Sequence, residues 1–211
     1  MKKLHKYYAR GRHPKGFWGQ RALKSMNGNK HAAMPQWVFE ELKIGENVNI
    51  LDIGCGGGAN IKRMLAKYPQ ARVTGLDLSN LSIEMAKDLN YKEVVDGQCI
   101  IIGGNVTQMP LAREIFDVVT AFETIYYWAS LDLGAAEMLR VLKPGGMAVI
   151  ANEMDGETEQ DRVTEHCVGG IRIYTINEIK QSLVEAGFKN IDARHDEGRR
   201  FICVTARKPR D

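Results

Sequence analysis

ILDIGCGGGANIKRML, residues 50–65, opens on an apolar run, places four glycines in the five positions 54–58 and closes on a helix-like pattern. Glycine carries no Cβ, so a chain can turn sharply there and its backbone can approach a bound molecule closely. A strand, a glycine loop and a helix in this order form the place where an open α/β sheet receives a nucleotide-like ligand. Gly54 to Ala59 satisfies the spacing GxGxxA, and Asp77 follows the next strand, where an acid accepts hydrogen bonds from ribose hydroxyls. Asp52, two residues before the first glycine, narrows the ligand class. A carboxylate there opposes a pyrophosphate, which is held by backbone N–H groups and a positive helix end. It suits a ligand bearing an ammonium or a sulfonium.

Around this stretch the chain alternates. Strand-like runs fall at 48–53, 72–76, 99–102, 117–121 and 147–151, with helical patterns at 59–68, 79–89 and 131–142. Short, almost continuously apolar strands separated by helices describe parallel βαβ units buried on both faces. In the C-terminal third, Thr175 and Glu178 form a capping box for a helix over 176–186, which Gly187 closes. Two strand-like runs, 189–194 and 200–206, are joined by a short polar turn and predict an antiparallel hairpin. Upstream, Pro35 starts a helix that Gly45 ends. The fold class expected is α/β: a Rossmann-like, doubly wound, mostly parallel seven-stranded sheet, with an antiparallel C-terminal hairpin strand and helices on both faces.

Charge divides the chain. Residues 1–31 carry nine Lys or Arg and no acid, leaving 20 basic against 26 acidic residues in the remainder. The division expected is a basic arm or lid over 1–34 and a ligand-binding domain over 35–211. No apolar run reaches the roughly 20 residues that span a bilayer, and no apolar segment follows the charged start as in a secretory signal. A cytoplasmic protein without membrane partners is expected. Cys55, Cys99, Cys167 and Cys203 are scattered, with no CxxC and no nearby His at ligand spacing, so neither a metal site nor a disulfide framework is expected.

Five segments in order carry a resemblance over residues 50–153. LDIGCGGG resembles motif I of the class I S-adenosylmethionine-dependent methyltransferases, and TGLDLS (74–79) their second motif. GGNVTQMP (103–110) stands where that family has GDxxxLP, FDVVTAFETIYYW (116–128) is similar to its fourth-strand segment, and VLKPGGMAVIANE (141–153) to its turn into the fifth strand. The overall pattern is similar to the methyltransferase-type-eleven and ubiquinone/menaquinone methyltransferases. The resemblance implies S-adenosylmethionine as cofactor and S-adenosylhomocysteine as product. It implies that Gly54, Cys55 and Gly56 pass beneath the methionine moiety, with Asp52 helping to position it. Asp77 would hold the ribose, Leu78 would lie against the adenine, and Asn105 and Val106 would meet the adenine edge. Asn105 departs from the Asp of many relatives, but its amide still offers an acceptor and a donor.

Methyl transfer from a sulfonium is a displacement, accelerated largely by holding two substrates in line and excluding water. No catalytic triad is required, and a base is needed only where the acceptor must lose a proton early. Glu123 follows the fourth strand, where it reads as a cofactor contact, a proton acceptor or a solvated loop acid. Tyr126, Tyr127 and Trp128 cannot all face one way; Tyr127 is the residue expected in the site. The arm supplies His13, Phe17 and Trp18 as acceptor-binding candidates and His31 as a catalytic one. The expected partner is a small-molecule acceptor. An RNA acceptor held by the basic arm, a non-catalytic cofactor-binding subunit and an NAD(P)-dependent oxidoreductase are the alternatives. Oligomeric state is not legible.

Overall fold

The computed structural model describes residues 14–28 and 31–210. Seven strands form one sheet: β1 (Asn49–Ile53), β2 (Arg72–Asp77), β3 (Cys99–Gly103), β4 (Phe116–Phe122), β5 (Leu142–Asn152), β6 (Lys189–Asp196) and β7 (Phe201–Arg207). Their order across the sheet is β3-β2-β1-β4-β5-β7-β6. The strands from β1 to β5 pair in parallel. β7 runs antiparallel to both of its neighbours. It lies between β5 and β6, so β6 is the edge strand and the hairpin folds back toward the centre.

The helices are α1 (Gly16–Met26), α2 (Ala33–Glu41), α3 (Ala59–Lys67), α4 (Asn80–Leu89), α5 (Tyr91–Val95), α6 (Leu131–Val141), α7 (Glu159–Val168) and α8 (Ile176–Ala186). Neighbouring strand residues point to opposite faces. Leu51 and Val119 pack with Met138 of α6 and Leu183 of α8. Ile50 and Val118 pack on the other side with Val38 of α2 and Met64 of α3. Both faces are covered, which is why the central strands are apolar at nearly every position.

Several boundaries depart from the sequence reading for local reasons. α2 ends at Glu41, because Leu42 is already extended, and does not run on to Gly45. β5 starts at Leu142 rather than Met147: the Lys-Pro-Gly-Gly turn is absorbed as an irregularity between the Phe116↔Leu142 and Val118↔Met147 pairs. α5 and α7 had no counterpart in the periodicity. α7 does carry a readable start, a capping box of Thr158 and Asp161. The segment containing α7 is tied to the hairpin by Arg200, which donates to Asp155 Oδ1 at 2.6 Å and also to Asp161.

Candidate functional site

Strand order reverses at β1, with β2 and β3 on one side and β4 and β5 on the other. The carboxyl ends of β1 and β4 therefore diverge into a crevice. A lobe of about 220 Å³ lies there, lined by Gly54, Asp77, Leu78, Asn105, Val106 and Glu123 together with apolar neighbours. A second lobe of about 80 Å³ continues past the glycine loop, bordered by Asn27, His31, Cys55, Asn60 and Arg63. Leu23, Gly54, Gly56, Phe122, Glu123 and Tyr127 border both, so the two lobes form one cleft.

The glycine loop is held from outside. Gly54 has φ +69°, and a Cβ there would stand 2.0 Å from Thr124 Oγ1; its N–H donates to the Leu76 carbonyl at 2.7 Å. Asn27 Nδ2 donates to the Gly57 carbonyl at 3.0 Å, and Asn90 Nδ2 to the Gly58 carbonyl at 3.1 Å. A Cβ on Gly56 would meet nothing closer than Leu23 Cδ2 at 3.9 Å, so the backbone at Gly56 is open to the cleft. Its N–H donates to Asp77 Oδ2 at 2.9 Å, while Asp77 Oδ1 accepts from the Ser79 N–H at 2.8 Å. A carboxylate oxygen has two lone pairs, so each keeps room for a ligand hydroxyl. Burial raises the Asp77 pKa, and hydrogen bonding from the Ser79, Gly56 and Leu78 N–H groups and the Ser82 side chain opposes that rise.

Asp52 lies behind the loop, 2% exposed, and lines neither lobe. It accepts from Thr120 Oγ1 at 2.7 Å. Burial pushes its pKa up to about 7, against the Thr120 hydrogen bond and with some help from Asp77. Its reach into the cleft is therefore electrostatic.

Glu123 sits at the junction of the lobes in a left-handed backbone conformation, φ +56°, with its N–H on the Ala151 carbonyl at 2.9 Å. Non-glycine residues in this region are uncommon and gather at functional sites. Its Oε1 accepts from the Tyr126 hydroxyl at 3.0 Å and from the Glu153 N–H. Burial, reinforced by the Glu153 charge, pushes Glu123 up to about 8. His31 Nδ1 stands 3.5 Å from Glu153 Oε2. The arm thus reaches the acidic floor of the cleft. Of the three adjacent aromatics, Tyr126 is buried in a small cluster with Met154 and Ile173. Tyr127 borders both lobes, and Trp128 borders the first.

Leu23 of α1 is 2% exposed and seats in the cleft. At the start of the arm the Ser79 hydroxyl donates to the Pro14 carbonyl at 3.2 Å. Phe17 and Trp18 lie on the outer face, 68% and 58% exposed, and line neither lobe. His13 lies outside the described residues. Among the described residues, no group of three or more His, Cys, Asp and Glu could hold a metal ion, and no helix is long and apolar enough to cross a membrane. All four cysteines are free thiols, with Cys167 exposed.

Leu23, Asn27, Arg63 and Thr124 were not legible as site residues. Leu23 and Asn27 reach the cleft through the packing of α1, which no local pattern announces. Arg63 and Thr124 sit in motif segments where the glycines and acids draw the attention.

A family model described as a methyltransferase domain matches residues 51–150. The chain is 31% identical over 131 residues to the 24-methylenesterol C-methyltransferase 3 of Arabidopsis thaliana, an alignment covering 62% of this chain and 36% of that protein. It is 30% identical to the 27-O-demethylrifamycin SV methyltransferase of Amycolatopsis mediterranei, over 66% of this chain and 53% of that one. The chain thus spans about a third to a half of the length of these curated relatives. Among solved structures, the complex between the Haloferax volcanii Trm112 methyltransferase activator and a putative methyltransferase contains a chain that superposes with a TM-score of 0.76. That match has 18% identity and covers 89% of this chain and 93% of that one. The ordered motifs and the reversal of the sheet at β1 agree with the family-model match: residues 51–150 carry a methyltransferase domain of the class I S-adenosylmethionine-dependent type.

Proposed function

We propose that the protein binds S-adenosylmethionine in the two-lobed cleft and transfers its methyl group to a small-molecule acceptor, leaving S-adenosylhomocysteine. The observation that carries this reading is one crevice holding both an open glycine backbone at Gly56 and a carboxylate, Asp77, with lone pairs to spare. When bound, the cofactor supplies an electrophilic methyl group on a sulfonium. The residues do the rest. Asp77 accepts the ribose hydroxyls; Leu78 and Val106 give the adenine an apolar wall, and Asn105 offers its edge an acceptor and a donor. Gly54, Cys55 and Gly56 underlie the methionine moiety, and Asp52 favours positive charge from behind the loop. Residues 1–34 act as the lid of the 35–211 domain, with Leu23, Asn27 and His31 excluding water from the cleft.

Tyr127 and Trp128 form the acceptor wall. Glu123, held by Tyr126, receives a proton from an acceptor that must lose one. The sterol and rifamycin methyltransferases among the relatives support a small acceptor. A specific observation favours a second reading, RNA: Phe17 and Trp18 are exposed on α1 beside the exposed Arg21 and Lys24.

Calorimetric titration of the purified protein with S-adenosylmethionine and with NAD(H) tests the cofactor. Binding of the first alone is expected, and binding of NAD(H) in its place would sink the proposal. Turnover of a small acceptor without added protein, with no shift of a short RNA at physiological salt, separates the acceptor classes and excludes a non-catalytic subunit.

The acidic cleft carries its own pH signature. Asp52 near 7 and Glu123 near 8 are largely protonated below those values without ligand, and a cationic ligand favours their ionised forms. Raising the pH from 6.5 to 8.5 removes the work of deprotonating them. Affinity for S-adenosylmethionine should therefore rise roughly tenfold more than affinity for S-adenosylhomocysteine, which lacks the sulfonium charge. The amino-acid tail is common to both and cancels. Equal pH slopes for the two ligands would show that neither Glu123 nor Asp52 responds to the sulfonium charge.

A further inference from the structure

Arg63 stands on α3, half-buried, on the wall of the second lobe. Its Nη1 donates to Asn60 Oδ1 at 2.8 Å, a neutral amide on its own helix. Among the described residues no carboxylate acts on it, and burial alone lowers its pKa. Five other arginines of this protein are paired with carboxylates. Arg140 holds Glu137, Arg172 holds Glu178, Arg194 holds Glu41, Arg199 holds Asp196 and Arg200 holds two aspartates. Partly withdrawing a guanidinium from water without giving it an anion is unfavourable, so this position suits an anion from outside the described residues.

The lobe narrows what that anion is. Its volume is about 80 Å³, room for a few heavy atoms rather than a polyphosphate, and Glu123 forms another part of its lining. A lobe with a guanidinium and a carboxyl group on its walls matches a zwitterion, with one negative and one positive end. The lobe also opens onto the larger one through Gly54 and Gly56, so its occupant is continuous with whatever lies beneath the glycine loop. Arg is the side chain suited to a carboxylate, since its planar fork offers paired N–H donors. Asn60 engages Nη1 and orients that fork.

We propose that Arg63 is a carboxylate-binding residue and that it takes the carboxylate of the cofactor's amino-acid end, with Glu123 on the side of the ammonium. This rests on the cofactor reading above. It assigns the second lobe to the methionine tail and leaves the acceptor to the first lobe, beside Tyr127 and Trp128.

The test compares two ligands that share the adenosine and the thioether. S-adenosylhomocysteine carries the amino-acid end, and 5′-methylthioadenosine does not. Each is titrated calorimetrically into the wild type, Arg63→Met and Arg63→Lys, with a thermal melt of each unliganded protein. Arg63→Met keeps the apolar stem and removes the charge; it should weaken S-adenosylhomocysteine roughly tenfold to a hundredfold and leave 5′-methylthioadenosine within about twofold. Arg63→Lys, which keeps the charge without the fork, should fall between wild type and Arg63→Met. Equal weakening of both ligands would mean that Arg63 acts through the packing of the loop, and the proposal fails. Unchanged S-adenosylhomocysteine binding with a raised acceptor KM would move the carboxylate to the acceptor and also overturn it. Failure of the wild type to bind either ligand would defeat the cofactor reading itself, a result distinct from the other two. If Arg63→Met melts far below wild type, the Lys variant alone decides: selective loss of S-adenosylhomocysteine supports the proposal, and equal loss of both ligands overturns it.

Discussion

Gly54→Ala is expected to lower the melting temperature of the unliganded protein by roughly 10 °C and to abolish cofactor binding at millimolar ligand. Two independent terms add. The residue has φ +69°, a left-handed conformation that costs a side chain about 1–2 kcal/mol. The new methyl would also lie 2.0 Å from Thr124 Oγ1 and 2.7 Å from Thr124 Cβ. Thr124 is buried at the start of the segment that carries Tyr127, and its Oγ1 accepts from Trp128 Nε1 at 3.4 Å, so displacing it disturbs that segment. Forcing an extra methyl into a packed contact costs about 1–3 kcal/mol. Whichever side yields, the ends of β1 and β4 move apart, and the cleft lies between them. A melting temperature within a degree or two of wild type would show that Gly54 and Thr124 are not packed as described. Adding Thr124→Gly should restore part of the lost stability, because it removes the clash and leaves only the backbone term.

Asp77→Ala separates binding from stability in the opposite way. The wild-type carboxylate accepts the Gly56 and Ser79 N–H groups and has lone pairs left for a ribose. Alanine removes the ribose acceptor and releases the loop tether together. Two charge-assisted hydrogen bonds to a ligand are worth about 1.5–3 kcal/mol each. Affinity should therefore fall by a factor on the order of 100 or more. The unliganded protein should be much less affected, because the lost N–H bonds are partly offset by removing a carboxylate whose burial raises its pKa. A melting point within about 3 °C of wild type is expected, with the shift induced by S-adenosylmethionine gone. Undiminished affinity would show that Asp77 serves the loop and not the ligand.

The pattern of expected effects shows why some site residues could be read from the chain and others could not. Gly54, Gly56 and Asp77 stand at strand ends, and strand ends are legible because a buried parallel strand is an unbroken apolar run that stops where the site begins. Glu123 is legible in position for the same reason, but its character is not. Its raised pKa comes from burial and from Glu153, 30 residues away in the chain and adjacent only because β5 lies beside β4. Asp52 is legible as an acid, but its placement is not, since its side chain is buried behind the loop. On the arm, the exposed Phe17 and Trp18 drew attention as aromatics, whereas Leu23 and Asn27 are the α1 side of the cleft. Helical periodicity with so short a polar stretch does not tell which face will find a partner.

The sequence by itself determined the order of strands and crossovers along the chain, the glycine loop and the acid at the end of β2, because these depend on local periodicity and on glycine's lack of a side chain. Tertiary structure decided the insertion of β7 between β5 and β6, the seating of Leu23 over the loop, the isolation of Arg63 from the carboxylates of the described residues and the burial that makes Glu123 a weak acid. Each of these is set by which surfaces meet and how much water they exclude, and that depends on packing between segments far apart in the chain.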